Sequence, residues 1–308
     1  MFGLMRQIVV TGATSFIGVH FIKKILSNDV RVYAVIRKGT KNKGRLPQHA
    51  NLQLLEVDLG DLDTLALMID GPIDAFYHLA WEGARGAQRD DSVLQNRNIE
   101  GAIKAMDAAV ALKAKLFFGS GSQAEYGDLY GNIDEEHHCE PRTQYGKAKY
   151  EAYCKLSDMA QNAGIKFIWA RIFSIYGCYD YSESLIMTSI RRMLNNESIQ
   201  VMSSERVWDY LYVEDLAEAM HKFMENDCES GIYNIASGET QKLGVYIEKI
   251  KECVNSKSRI EHGDMSSGTE FSLNVNKINR AIGWSAHTSF EAGITKILNN
   301  SKLCNIEK

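Results

Sequence analysis

Residues 7–18 read Gln7-Ile8-Val9-Val10-Thr11-Gly12-Ala13-Thr14-Ser15-Phe16-Ile17-Gly18, a β-branched run that meets a glycine turn and then the start of an apolar helical pattern. The β-branched residues favour a buried strand, Gly12 permits a sharp turn, and Gly18 permits close packing of the helix that follows. Backbone N–H groups at such a helix start suit a pyrophosphate. Taken alone, the spacing also fits an ordinary strand-to-helix turn, so the surrounding chain has to decide between the two. No Gly-Lys-Ser/Thr follows, which disfavours a nucleoside-triphosphate loop, and the first strand-helix junction is where dinucleotides bind. This reading places Gly12, Thr14, Ser15, Phe16, Ile17 and Gly18 around a dinucleotide.

The alternation continues outward. Residues 30–36, 52–57, 75–79, 116–119 and 167–171 are short β-rich runs bounded by polar or glycine residues, and together with 7–11 they predict buried strands. Helical spacing of apolar residues over 16–27, 62–69, 93–111 and 144–163 predicts helices between them. Strands alternating with helices give an α/β class, a doubly wound parallel sheet. After Arg171 the regularity weakens, and helices predicted at 185–194 and 246–253 stand among loops. The expected division is a dinucleotide-binding domain over 1–175, joined by 207–237, with a smaller C-terminal substrate domain formed by the rest of 176–308.

Composition narrows the function classes. A chain of 308 residues suggests about two domains, and 45% apolar residues supply a sizeable core, which excludes disordered and fibrous readings. Thirty-five Lys and Arg against 39 Asp and Glu give a net charge of −4, without the broad basic footprint of a nucleic-acid binder. No apolar run approaches the roughly 20 residues that a bilayer requires, and residues 1–6 have no secretory pattern, so a cytoplasmic protein with no membrane partner is expected. The cysteines Cys139, Cys154, Cys178, Cys228, Cys253 and Cys304 are scattered without a C-x-x-C pair and are read as free thiols. Glu135-Glu136-His137-His138-Cys139 holds metal-capable groups, but adjacent side chains on one loop rarely converge on an ion. A solvated loop is expected there, and no metal site.

Two local patterns carry chemistry. The second strand ends at Arg37, where an acid would accept hydrogen bonds from the ribose 2′-hydroxyl of NAD, and Lys38, Lys41, Lys43 and Arg45 follow with no acid among them. That suits the extra phosphate of NADP, although a solvated basic loop has the same appearance. Asp58 follows the third strand and can either reach the adenine amino group or cap a helix. Tyr145 and Lys149 are spaced to share one helix face. Lowering a phenol by three pKa units takes about 4 kcal/mol, and one ammonium at about 5 Å in an effective dielectric near 20 supplies on the order of 3 kcal/mol. Upstream, Gly119-Ser120-Gly121-Ser122-Gln123-Ala124-Glu125-Tyr126-Gly127 sets hydroxyls at a strand end.

In order along the chain stand the glycine turn, Asp58-Leu59, His78-Leu79-Ala80, Asn98-Ile99-Glu100-Gly101, the serine-rich strand end, Tyr145 to Lys149, and Arg171-Ile172-Phe173-Ser174-Ile175-Tyr176-Gly177. Trp208-Asp209-Tyr210 and Ile282-Gly283-Trp284 follow. The set resembles the extended short-chain dehydrogenase/reductase family, within it the nucleotide-sugar epimerases, dehydratases and reductases, across nearly the whole chain. The resemblance implies a Rossmann fold and a nucleotide-diphosphate sugar substrate. It implies Ser122, Tyr145 and Lys149 as catalytic, and adds Asp58, Leu59, Leu79, Ala80, Tyr145 and Lys149 to the cofactor contacts. The expected substrate contacts are Trp81, Asn98, Ser122, Gln123, Ser174, Arg206 and Arg280. Trp208 stands where a phosphate-binding arginine is common, so Arg206 is expected to reach across. His78 is read as a core histidine, and Trp81, Arg85 and Arg89 belong to a loop overhanging the nicotinamide, for sugar recognition or loop packing.

Within that family a 4,6-dehydratase needs an acid and a base after the active hydroxyl, where this chain has Gln123 and Ala124. Arg37 then favours an NADPH-dependent reductase of a nucleotide-linked 4-keto, 6-deoxy sugar over a 4-epimerase holding NAD. A non-catalytic regulator is disfavoured because Ser122, Tyr145 and Lys149 are all present. A homodimer is expected, because Ile99, Ala102, Ile103, Met106, Ala148, Ala152 and Ala160 exceed the single apolar face that a helix on a sheet requires.

Overall fold

The computed structural model describes residues 5–26, 29–263, 270–304 and 306. The β-branched run forms β1 (Arg6–Thr11), and Ile8, Val9 and Val10 are fully buried because β1 has a parallel neighbour on each side. With β2 (Val30–Ile36), β3 (Leu52–Glu56), β4 (Ala75–His78), β5 (Leu116–Ser122), β6 (Lys166–Ile172) and β7 (Gly231–Ile235) it makes a seven-stranded parallel sheet in the order β7-β6-β5-β4-β1-β2-β3. The order reverses between β1 and β4, and at that point the carboxyl ends of the strands open a crevice. β5 runs three residues past its expected end, which brings Ser120 and Ser122 onto the sheet edge.

The helices are α1 (Phe16–Ile25), α2 (Ser92–Ala111), α3 (Gln144–Ala163), α4 (Leu185–Leu194), α5 (Val213–Glu225), α6 (Leu243–Val254), α7 (Asn276–Ile282), α8 (Phe290–Asn299) and a final turn, α9 (Ser301–Cys304). On one face of the sheet, α1, α5 and α7 bury Val19, Ile22, Leu216, Met220 and Ile278. On the other, α2 and α3 bury Ala105, Met106, Leu156 and Ala160 against Phe117 and Trp169. A third core, between α4, α6 and α8, gathers Ile190, Ile247 and Ile294. Among the described residues no helix is long and apolar enough to cross a membrane.

Several expectations need correcting. Residues 62–69 do not form an α-helix: Leu59–Leu67 is a 3-10 helix in which Leu59, Leu62 and Leu65, three apart, share one face. Ser27, at the expected end of the first helix, lies outside the described residues, as do residues 1–4. Four of the seven residues counted as surplus on α2 and α3 are taken up within the subunit. Ala102, Met106, Ala152 and Ala160 are all buried in the subunit's own second core, since α2 and α3 also pack on each other and α2 packs on the 3-10 helix. Cys178 and Cys304 are joined as a disulfide between the loop after the short strand Ser174–Tyr176 and the last helical turn, so they are not free thiols. Their separation of 126 residues leaves no local signature. Glu135 is buried and accepts from Asn234 N at 2.8 Å, so the acidic loop is solvated only in part. Among the described residues no group of His, Cys, Asp and Glu is arranged to hold a metal.

Met106 is fully buried, whereas Val93 on the same helix is 66% exposed. Met106→Ala is therefore expected to lower unfolding free energy by about 2–5 kcal/mol, while Val93→Ala stays within about 0.5 kcal/mol. Urea unfolding of both variants measures this, and equal losses would contradict the assignment of α2's inner face.

Candidate active site

The glycine turn is shaped by close backbone approach. Gly12 has φ 66°, and a Cβ there would stand 2.8 Å from the Ala80 nitrogen and from the Leu79 carbonyl carbon. A Cβ on Gly18 would collide with the Gly12 carbonyl oxygen. Ser15 caps α1 by accepting from Gly18 N at 3.1 Å. The start of α1 thus presents Phe16 and Ile17 to a cavity of about 590 Å³, also lined by Ser122, Tyr145, Lys149 and Trp208. A smaller cavity of about 270 Å³ shares Ser15, Leu79 and Trp81 with it and runs past Thr14 and Ala80 to Arg37 and Leu59. A cradle that side chains at Gly12 and Gly18 would fill, a helix N-terminus and a continuous two-part cleft fit a dinucleotide.

At the Arg37 end, folding supplies acids that the local sequence lacks. Arg37 pairs with Glu82 at 3.0 Å, Lys43 with Glu56 at 3.3 Å and Lys38 with Asp61 at 3.9 Å. Asp58 accepts from Lys38 N at 3.1 Å and so braces the end of β2, without capping the 3-10 helix by its side chain.

α3 places the reactive pair. Thr143 caps it by accepting from Gly146 N, and Tyr145 and Lys149 are both buried. Burial pushes the Tyr145 phenol up, against the lowering effect of a hydrogen bond with the Ser122 side chain and of the Arg89 charge. Lys149 Nζ donates to Ser120 O at 2.7 Å and lies 3.6 Å from the centre of the Trp81 ring. Burial pulls its pKa down to about 7, with Glu125 opposing. His78, held by Thr11 Oγ1 at 2.9 Å, is driven to about 3 by burial and by the Lys149 charge, which makes it a neutral core histidine.

The expected substrate residues divide into two sets. Trp81, Ser122, Gln123, Ser174 and Arg206 all line the larger cavity. Ser174 Oγ accepts from Trp208 Nε1 at 2.8 Å and from Gln123 Nε2 at 3.3 Å, and Arg206 stacks on Trp208 at 4.5 Å. Asn98 and Arg280 are not brought there. Asn98 is buried in α2, its amide taken up by the backbone N and O of Glu82 at 2.9 Å each, so it braces the loop after β4. Arg280, on α7, lines a separate cavity with Asp134, Glu135 and Asp227.

Sequence reasoning missed the support beneath Ser122. Glu125, fully buried, accepts from Ser122 N at 2.7 Å, from Trp169 Nε1 at 3.0 Å and from Arg171 Nε at 2.9 Å. The signal that could have found it was an acid inside the serine-rich motif, just past a strand expected to be buried. Gln95 was missed as well. It accepts from Trp81 Nε1 at 2.9 Å and donates to Gly83 O and Gln88 O at 3.0 Å.

Residues 8–236 match the NAD dependent epimerase/dehydratase family, and the chain belongs to it. It is 24% identical over 304 residues to the CDP-abequose synthase of Salmonella muenchen, covering 97% of this chain and 99% of that protein. It is 27% identical over 252 residues to the dTDP-6-deoxy-L-talose 4-dehydrogenase (NAD(+)) of Aggregatibacter actinomycetemcomitans, covering 79% of this chain and 88% of that protein. The fold superposes on the UDP-glucose 4-epimerase of Thermus thermophilus in complex with NAD with a TM-score of 0.84 and 20% identity, over 96% of this chain and 99% of that one.

The buried lysine predicts a pH signature. Its folded value near 7 lies below the ordinary lysine value of 10.5, so between them the unfolded chain binds more protons and stability rises with pH. Below that window both states are protonated and the slope vanishes. Wild type should therefore gain on Lys149→Met across the window by up to about 1.4 kcal/mol per pH unit. Thermal unfolding of both proteins over a pH series reads the gap, and a constant gap would mean that Lys149 keeps its solvent-like pKa.

Proposed function

We propose that this member of the family is an NADPH-dependent reductase of a nucleotide-linked 4-keto sugar, with 6-deoxy sugars as the favoured class. The observation that carries the reading is the convergence of Ser122, Tyr145 and Lys149 on a cavity that adjoins the Gly12 cleft across Ser15, Leu79 and Trp81. Gln123 and Ala124 hold the positions where a dehydratase would need its acid and base, and the nearby carboxylate, Glu125, is buried beneath the strand end and fully engaged. The similarity to a dehydrogenase named for position 4 of a 6-deoxy sugar supports the choice of reaction.

The cleft around Gly12, Thr14, Ser15 and the first turn of α1 would hold the pyrophosphate, with Arg37 toward the adenosine ribose. A bound reduced nicotinamide supplies the hydride. The chain's own residues do the rest. Ser122 holds the oxygen on sugar C4, Tyr145 hands its phenolic proton to that oxygen, and the Lys149 ammonium stabilises the phenolate left behind. Arg206, held 4.5 Å from the centre of the Trp208 ring, offers a guanidinium to the substrate diphosphate in place of the missing arginine. A homodimer through the outward faces of α2 and α3 belongs to this reading, resting on the resemblance and on exposed Val93, Val110 and Tyr150.

A second reading, a 4-epimerase that retains NAD, is favoured by one observation: Glu82 occupies Arg37 and puts a carboxylate at the ribose end of the cleft. Incubation with a panel of nucleotide-4-keto sugars separates the two. Stoichiometric loss of NADPH absorbance is expected, whereas sugar interconversion without added cofactor would establish the epimerase.

Two variants test the roles. Tyr145→Phe should keep cofactor binding and lose about 10²- to 10⁴-fold in turnover, and near-normal turnover would remove the phenol from the mechanism. Arg37→Ala should lower the NADP/NAD preference by about 10- to 100-fold in cofactor titrations, because a charge-assisted phosphate contact is lost. An unchanged ratio would favour the epimerase.

A further inference from the structure

Arg89 lies with its guanidinium carbon 4.6 Å from the centre of the Tyr145 ring. It sits in the short 3-10 helix Gly86–Asp90, on a loop that the fold ties down at several points. Gln95 holds the loop by the Gly83 and Gln88 carbonyls, and Asn98 holds Glu82. Asp90, the next residue, accepts from Gln144 N at 3.0 Å, which pins the loop to the first turn of α3, one residue from Tyr145. The guanidinium is thus positioned over the phenol ring by both of its neighbours in the fold.

Arg89 also differs from the cations around it. Arg85 is paired with Asp180 at 2.7 Å, and Arg142 with Asp128 at 3.1 Å and Glu140 at 3.0 Å. Among the described residues Arg89 has no carboxylate partner. Its hydrogen bond goes to the Ala84 carbonyl at 3.3 Å, and it lines the cavity beside Ser122. We propose that Arg89 is a positioning residue for the reaction, a permanent second cation whose charge favours the phenolate of Tyr145 and whose contact with the ring helps hold it beside Ser122.

The chemistry explains the need for a second cation. A guanidinium keeps its charge at every working pH, whereas an ammonium gives it up when desolvated. Lys149 is desolvated, and its pKa falls to about 7. The charges acting on Tyr145 are Arg89 and the paired Arg85 from the loop and Glu125 from below, itself neutralised by Arg171, while Lys149 Nζ, on the same helix, lies 5.8 Å from the ring centre. Burial and Glu125 oppose the phenolate, while Arg89 and Arg85 favour it. With Arg85 committed to Asp180, Arg89 is the uncommitted guanidinium of the set.

This inference rests on the role given to Tyr145 in the proposed function, so its first readout needs neither substrate nor turnover. The near-ultraviolet phenolate band is titrated in protein saturated with NADP⁺, and the Tyr145→Phe variant supplies the background. Arg89→Met, which keeps the aliphatic stem, is expected to raise the Tyr145 midpoint by about one pH unit, the attraction at this distance being weakened by partial exposure to solvent. Arg89→Lys should restore most of the shift. In turnover measurements the pH limb assigned to the phenol should move by the same amount, with kcat falling more than KM rises. An unmoved midpoint in Arg89→Met overturns the proposal, and with a raised KM it would make Arg89 a substrate contact instead. If the midpoint moves but no nucleotide-4-keto sugar is reduced, the reaction assigned above is wrong while this role of Arg89 stands.

Discussion

Glu125 is wholly buried, and a carboxylate in that position would be ruinous to the fold unless every oxygen were met. The Ser122 N–H, the Trp169 indole and the Arg171 guanidinium meet it, and Arg171 in turn lies 4.4 Å from the Tyr126 ring. Burial pushes the Glu125 carboxyl up while Arg171 holds it down. Replacing such a pair by apolar groups can leave stability unchanged, but breaking it from one side leaves a bare charge inside the protein. Its effect on the site is geometric. The acid reaches back to the nitrogen of the residue that begins its own turn, while Ser122 Oγ accepts from Ala124 N at 3.2 Å. The Ser122 hydroxyl therefore leaves the sheet edge in one fixed direction.

From that point the network spreads to the sheet's outer strands. Tyr126 donates to Asn234 Oδ1 at 2.7 Å, and Asn234, on β7, donates its backbone N–H to Glu135. The same elements border the small core of Ile133, Phe173, Phe271 and Leu273. The floor of the cavity is thereby linked to segments well separated in sequence. A substitution at Arg171 would disturb Ser122 through Glu125 and Asn234 through Tyr126 at once, because the two share one guanidinium.

The sheet was legible because each core strand is a short apolar run ended by a turn residue, and a parallel strand buried on both faces has to read that way. The full extent of α3 followed from its helical period, and Tyr145 and Lys149 followed from their spacing within it. What escaped was whatever depends on distant partners. The 3-10 helix Leu59–Leu67 carries a period of three that resembles the start of an α-helix over so short a span. Asn98 and Arg280 belong to recognisable motifs, yet one braces a loop and the other faces a different cavity. The basic run from Arg37 contains no acid, and three acids from elsewhere pair with it.

That last discrepancy bears most directly on the choice of cofactor. The Arg37–Glu82 pair is exposed, with 70% and 47% of the two side chains open to solvent, so its own strength is small and screened by salt. A dianionic phosphate competes with a single carboxylate for the guanidinium and makes shorter, charge-assisted contacts, so Glu82 can be displaced at modest cost. A ribose hydroxyl exerts no such pull. It would leave the pair intact and could donate to the carboxylate as its own partner. On the proposed function, the cleft would take the two cofactors in two arrangements that differ in where one glutamate points. Discrimination then depends on how tightly the backbone of Glu82 is held, and that backbone is clamped on both its N–H and its carbonyl by the buried amide of Asn98. Asn98, expected to touch the sugar, is placed where its amide holds the backbone of the acid that pairs with Arg37.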